Sequence, residues 1–182
     1  MDVVHAAHLA REALAMWGAQ RLAEAANCYE EAIAYADPEH YETPGYHQQL
    51  AAVLTALGQD ADALDQFRKA LELEQSQGGD DAGASVAMAR YFLAEHHAKM
   101  REPSAGLEVL KPSLVVDCKV EGLLCMVQAE CLWQLGHIDE ARAAAQRAMD
   151  RAASAIQREK MQGRLAGVLG AREQESCRLS AQ

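Results

Sequence analysis

Aromatic residues and prolines are both scarce in this chain, and the two shortages narrow its fold. Phe, Trp and Tyr make up only 5% of the 182 residues, although half of all residues are apolar. Alanine supplies much of that apolar fraction and has the highest helix propensity, whereas β-branched residues are few. The four prolines, at positions 38, 44, 103 and 112, lie near breaks in the helical periodicity. This composition favours closely packed helices over a core built on a sheet.

Positive charge is also in short supply. The chain has 17 Lys and Arg against 27 Asp and Glu, which gives a formal net charge of -10. Binding to nucleic acid or to an anionic membrane surface needs clustered Lys and Arg, so we expect neither partner. A basic or apolar protein partner suits this charge better.

Long apolar runs and export signals are missing from the sequence. A membrane-spanning helix needs roughly 20 apolar residues, and no window approaches that length. The N-terminal stretch MDVVHAAHLARE lacks the basic start and apolar run of a secretion signal. The five cysteines are odd in number and form no C-x-x-C motif, which indicates buried thiols in a reducing compartment. We therefore expect a cytoplasmic protein, and its Ala-rich, acidic composition fits a bacterial origin.

Catalytic and cofactor motifs are absent as well. The sequence has no H-E-x-x-H, G-x-S-x-G, Walker-type or dinucleotide glycine motif. His5, His8 and Glu12 share one face of a predicted helix, but no further ligands accompany them, and an ordinary exposed helix explains their spacing. We therefore predict no enzyme activity, no cofactor and no metal site.

The sequence does contain an internal repeat. The stretch ALGQDADALDQFRKAL at 56–71 matches QLGHIDEARAAAQRAM at 134–149, which pairs Gly58 with Gly136. These glycines are 78 residues apart, so a further copy is expected halfway between them, and KMREPSAGLEVLKPSL at 99–114 fits that place. A fourth, earlier copy follows Trp17.

Each copy carries a small residue at the same place. Ala or Gly where two helices cross lets their backbones approach to the lower end of the usual ~8–10 Å, and a larger residue would overpack. The first copy fits the pattern only with about two extra residues around Gly18, and Arg101 replaces the turn glycine of the third copy. The small residues are 38, 43 and 35 residues apart: Ala25, Ala63, Gly106 and Ala141.

These residues resemble the tetratricopeptide repeat (TPR) family, whose unit is a pair of antiparallel helices with small residues at their crossing. The family pattern of Leu-Gly, Gly-x-x-x-x-Ala, an aromatic and a further Ala is carried best by 50–71 and 129–148. The resemblance implies an all-α fold, a right-handed α-α superhelix of about four helical hairpins plus a C-terminal capping helix. We expect one domain over 1–174 followed by a frayed tail at 175–182. Its repeats are expected at about 5–38, 44–76, 84–113 and 118–153, and its capping helix at 154–174, with an apolar face of Ile156, Met161, Leu165, Val168 and Leu169.

In the TPR family the first helix of each hairpin lines a groove, and the alignment assigns groove positions to this chain. The Lys/Asn/Arg set with which some family members hold a peptide carboxylate is missing here, apart from Lys99. Aromatic and Met side chains are good peptide anchors, and carboxylates pair with a partner's Lys or Arg. Alternatively, Met126 and Trp133 pack between repeats. The assigned groove positions are Gln48, Thr55, Tyr91, Glu95, Lys99, Met126, Glu130 and Trp133.

The resemblance implies a non-catalytic module that holds a segment of another protein in its concave groove, as an adaptor, regulator or dedicated chaperone. Size and repeat number also resemble the small TPR chaperones of bacterial secretion systems. An alternative is an inhibitor or immunity-type protein whose acidic surface blocks a basic partner. Two further possibilities stay open: a homodimer formed by stacked repeat ends, and a groove filled by the chain's own C-terminal segment.

Overall fold

A computed structural model describes residues 1–170, and every regular element in that range is an α-helix. The predicted all-α class is therefore confirmed. After the last of the helices given below, residues 166–170 are helical again. Positions 171–174 of the predicted capping helix and the predicted tail at 175–182 lie outside the described residues. The helices are α1 (Val3–Gly18), α2 (Leu22–Tyr35), α3 (Thr43–Ala56), α4 (Asp60–Ser76), α5 (Ala84–Lys99), α6 (Pro103–Leu114), α7 (Glu121–Gln134), α8 (Ile138–Asp150) and α9 (Ala155–Arg164).

The chain divides into two compact units, residues 1–93 and the residues from 94 onward. The boundary falls inside α5, so the first unit holds α1 to α4 and most of α5. The second unit holds the last turns of α5 and the helices α6 to α9. The single domain over 1–174 stays a prediction.

Four similar turns follow α1, α3, α5 and α7. In each turn one residue has a left-handed backbone, and the next amide donates a hydrogen bond to the carbonyl five residues before it. This arrangement is the Schellman motif, which satisfies the carbonyl groups left free at a helix end. The left-handed residues are Gln20 (φ 62°), Gly58 (φ 76°), Arg101 (φ 60°) and Gly136 (φ 81°). The bonds run from Arg21 N to Met16 O (2.9 Å), Gln59 N to Leu54 O (2.9 Å), Glu102 N to His97 O (2.9 Å) and His137 N to Leu132 O (3.0 Å).

The turns correct the register expected for the first copy. Gln20, not Gly18, holds the position of Gly58, and it lies five residues before the small residue Ala25, as Gly58 does before Ala63. No extra residues are therefore needed around Gly18, and that expectation was wrong. Arg101 likewise takes the left-handed conformation that the other copies give to glycine or glutamine.

Alanines separated by a few large side chains fill the core of the first unit. Along α1 and α2 the buried positions recur at helical spacing, and Tyr29 is the largest side chain that is fully buried there. In α4 the ring of Phe67 lies parallel to that of Phe92 in α5, with centroids 6.4 Å apart. Buried apolar area of this kind is the main stabilising contribution to such a unit. The buried alanines of the first hairpin are Ala6, Ala10, Ala13, Ala25, Ala26 and Ala32.

The second unit has the same alanine-rich character. Helix α8 buries Ala141, Ala144, Ala145 and Ala148 on one face. The apolar face expected for the C-terminal helix is only partly correct, because Ile156 is exposed. Three of its members are buried instead: Met161, Leu165 and Val168.

Candidate functional site

The eight groove positions assigned from the sequence divide between the two units. Gln48 and Thr55 lie on α3 and Tyr91 on the first part of α5, all within the first unit. The remaining five belong to the second unit: Glu95, Lys99, Met126, Glu130 and Trp133.

Two of the expected groove side chains are not on the surface. Tyr91 is 8% exposed and Met126 only 4% exposed, and the Tyr91 ring packs edge-on against Phe92 with centroids 5.0 Å apart. Their expected exposure was wrong, because both are packed away from solvent. For Met126 the structure favours the alternative of packing inside the fold. Gln48, Thr55 and Trp133 are half-buried.

Three of the assigned positions come together around a residue that the sequence did not implicate. Arg164, the last residue of α9, lies between Glu95 of α5 and Glu130 of α7. Its Nη1 donates to Glu95 Oε1 at 2.5 Å, while Nε and Nη2 donate to the two oxygens of Glu130 at 2.5 and 2.7 Å. Lys99 Nζ stands 3.8 Å from Glu95 Oε2. The two carboxylates and the guanidinium are called the arginine clasp below.

The arginine clasp is more buried than an ordinary surface ion pair. The side chains of Glu95, Glu130 and Arg164 are 15%, 20% and 33% exposed. Burial alone opposes the charge of Arg164, but hydrogen bonds and attraction from Glu130 and Glu95 together outweigh it and raise the pKa of Arg164 above its usual range. A two-pronged hydrogen bond from arginine to a carboxylate is among the stronger polar contacts in proteins.

An open polar cavity of about 330 Å³ lies beside the arginine clasp. Gln134 supports its wall by donating from Nε2 to the carbonyl of Ala98 at 3.1 Å. Space is thus left next to the guanidinium that α9 does not fill. The cavity is lined by Glu95, Ala98, Lys99, Arg101, Glu130, Gln134 and Arg164.

A larger groove of about 610 Å³ lies in the first unit, between α1, α3 and the loop before α3. Leu14 and Tyr41, at its rim, are large apolar side chains that are 53% and 74% exposed. Tyr46, in the wall, donates from its hydroxyl to Glu42 Oε2 at 2.9 Å, and burial, with help from Glu42, raises the pKa of Tyr46 to about 12. We name this feature the α1–α3 groove. Its lining is Ala7, Ala10, Arg11, Leu14, Tyr41, Glu42, Gly45, Tyr46, Gln49 and Glu74.

Sequence reasoning missed the α1–α3 groove, although a signal for it exists. The α1 lining residues stand at 7, 10, 11 and 14, which is one face of a helix. Glu42, Gly45, Tyr46 and Gln49 repeat that spacing at the start of α3. The signal was missed because the first copy fitted the repeat pattern least clearly and groove positions were assigned only to the other three copies.

The histidines considered as metal ligands make separate contacts. The His5 ring packs edge-on against Tyr35 with centroids 4.6 Å apart, while His8 Nδ1 lies 3.8 Å from Glu12 Oε2. Within residues 1–170 no three His, Cys, Asp or Glu side chains are placed to hold a metal ion. In the same range no helix has the length and apolar character needed to cross a membrane.

Neither the known protein-family models nor the curated protein sequences contain a match to this chain. Solved structures do resemble it. The nearly identical TPR-like repeats of a protein described as a Podosopora anserina kinesin light chain align with a TM-score of 0.72 and 16% identity, over 93% of this chain and 87% of that one. The MamA RS-1 ArsTM double mutant aligns with a TM-score of 0.65 and 16% identity, over 94% and 97%.

A third solved structure, BtubC (BKLC) from P. vanneervenii, aligns with a TM-score of 0.56 and 16% identity, over 99% of this chain and 90% of that one. Likeness at this level of identity shows the fold. The chain has the TPR-like fold of paired helices that its repeats predicted.

Proposed function

We propose that this protein is a non-catalytic protein-interaction module that holds a short segment of another protein in the α1–α3 groove. The observation that carries the proposal is the groove itself, whose rim exposes Leu14 and Tyr41 to solvent. Its volume of about 610 Å³ suits a few side chains of a bound peptide. The TPR-like fold supports this role, because helical repeats of this kind present extended binding surfaces.

The chemistry of the α1–α3 groove suggests the kind of segment it holds. Small residues such as Ala7 and Ala10 leave room for an incoming side chain, and the exposed Leu14 and Tyr41 gain from being covered. Arg11 stands on α1, opposite the carboxylates that line the rest of the groove, so charges of both signs are present to orient the segment. A peptide with one or two large apolar anchors and a flanking basic residue fits best.

The proposal is tested by selecting peptides from a phage-displayed random library on the immobilised protein. Binding of the selected peptides is then compared by fluorescence polarisation between wild type and Leu14→Asp. We expect the substitution to weaken binding at least about tenfold, since it replaces an apolar contact by a buried charge. Val4→Asp is the matched control, because Val4 is exposed on the same helix but does not line the groove. Peptides that bind wild type and Leu14→Asp equally would show that the groove is not the binding surface.

A second candidate function follows from the net charge of -10, which favours blocking of a basic protein through a wide acidic surface. The salt dependence of binding distinguishes the two candidate functions. Binding that depends on charge falls steeply between about 0.05 M and about 0.5 M salt, whereas apolar packing in the α1–α3 groove changes little. The adaptor, regulator and dedicated-chaperone roles share the same binding step and differ in what happens to the bound segment.

A further inference from the structure

The arginine clasp has the features of a binding site with its ligand in place. Two side chains of like charge, Glu95 and Glu130, converge where each is mostly shielded from water. Their like charges repel each other, and Lys99 Nζ, 3.8 Å from Glu95 Oε2, offsets part of that repulsion. The planar guanidinium of Arg164 satisfies both at once, with three hydrogen bonds of 2.5 to 2.7 Å.

Arg164 is not the only residue that holds α9 on the second unit. The buried side chains Met161, Leu165 and Val168 anchor that segment, and they surround Arg164 in the sequence. The side chain of Arg164 is one-third exposed and borders the open cavity of about 330 Å³. Its side chain therefore has room to swing out into solvent while α9 stays docked.

We propose that Glu95 and Glu130 form a binding site for an arginine side chain of a partner protein, and that Arg164 is an internal ligand which the partner's arginine displaces. The chemistry of the site indicates its ligand, since two carboxylates that face one planar group select a guanidinium over an ammonium ion. The inference rests on the proposed protein-binding role but concerns a different surface, in the second unit.

Chemical complementation tests the proposal. Arg164→Ala removes the guanidinium from between Glu95 and Glu130, and the probe N-acetyl-arginine amide supplies a guanidinium from solution. We expect the probe to raise the melting temperature of Arg164→Ala by about 3 °C at tenfold its dissociation constant. Adding Glu130→Gln to that variant should abolish the rise, because one of the two carboxylates is then neutral. N-acetyl-lysine amide should need at least about a tenfold higher concentration for the same effect.

Controls separate this site from other effects of a cationic probe. Arg158→Ala removes an exposed arginine from the same helix and should respond to the probe like wild type. Wild type itself should need at least about a tenfold higher probe concentration than Arg164→Ala, because its own guanidinium competes. Arg164→Gln provides a second variant if Arg164→Ala does not fold.

Equal responses of wild type and Arg164→Ala, or a response that survives Glu130→Gln, would overturn the proposal and leave the clasp as a structural ion pair. The Leu14→Asp variant should take up the probe as wild type does, because its substitution lies in the first unit. If the probe does not stabilise Arg164→Ala but peptide binding depends on Leu14, only this inference is rejected. If the probe stabilises Arg164→Ala but no selected peptide depends on Leu14, only the proposed role of the α1–α3 groove is rejected.

Discussion

Gly106 of α6 lies so close to Cys131 of α7 that a Cβ built on the glycine would stand 2.9 Å from the cysteine sulfur. The same Cβ would stand 3.2 Å from the carbonyl oxygen of Ala94 and 3.7 Å from the Cβ of His97. Contacts below about 3 Å force neighbouring atoms to move. The third copy therefore has glycine where the other three copies have alanine, because its helices leave no room for a methyl group.

Gly106→Ala should lower the free energy of unfolding by roughly 1–3 kcal/mol, the usual cost of overpacking a tight contact. Urea unfolding followed by circular dichroism measures the change. Gly163→Ala in α9 is the matched control, since a Cβ there meets nothing within 4 Å and alanine is the better helix former. The control should be neutral or stabilising by up to about 1 kcal/mol. A similar loss in both variants would show that the contact at Gly106 does not set the cost.

Two substitutions at the left-handed turn residues should change the stability in opposite directions. Gln20→Gly should raise the free energy of unfolding by roughly 0.5–1 kcal/mol, because glycine adopts a φ of 62° without steric cost. Gly136→Gln should lower it by a similar amount, and since a Cβ at Gly136 meets nothing within 4 Å, the effect comes from the backbone alone. Thermal unfolding of both variants beside wild type checks the signs. A Gly136→Gln protein as stable as wild type would contradict the turn geometry.

Local spacing explains how much of the fold could be predicted. Small residues recur at intervals close to 39 residues, and each apolar segment has helical periodicity, so the helix pairs follow from neighbouring residues alone. The first turn was misplaced because Gln20 is left-handed and side-chain type gave no sign of it. The first copy therefore fitted the pattern only with about two extra residues around Gly18, and no groove positions were assigned to α1.

The site residues were harder to predict for two physical reasons. Helix α7 buries Leu124, Cys125, Met126 and Val127 in succession, so no polar stripe separates its groove face from its core face. The arginine clasp joins positions 34 and 69 residues apart along the chain, and no periodicity reports such a contact. The sequence identified the two carboxylates as partners for a basic group but not that the chain supplies one itself.

His47 makes stability depend on pH. Its ring is buried on α3, with Nδ1 2.7 Å from Gln66 Oε1, and burial lowers the pKa of His47 although the contact with Gln66 opposes the shift. The unfolded chain therefore takes up this proton at a higher pH than the folded chain does. As pH falls through the unfolded value of about 6.5, wild type should lose stability by at most about 1.4 kcal/mol per pH unit from this group.

The measurement is urea unfolding of wild type and His47→Gln over a pH series. Between about pH 7.5 and about pH 5.5 the stability of wild type should fall more steeply than that of the variant, and above about pH 7.5 the two curves should run parallel. Parallel curves through the whole series would mean that His47 titrates alike in the folded and unfolded chain.

Thiol labelling reads the packing of the second unit directly. Cys131 is fully buried, and burial raises its pKa to about 12, so at pH ~8 its thiolate fraction is roughly a thousandfold below that of an ordinary cysteine. Cys28 is only partly buried, in the first unit. In a Cys177→Ser background, an excess of a small disulfide reagent should modify Cys28 first and Cys131 only when the second unit opens, as mass spectrometry of the digested protein would show.

Gly106→Ala should speed the modification of Cys131 but not that of Cys28, because overpacking favours opening around the cysteine sulfur. Modification of Cys131 as fast as Cys28 in the native protein would contradict the packing of α6 against α7.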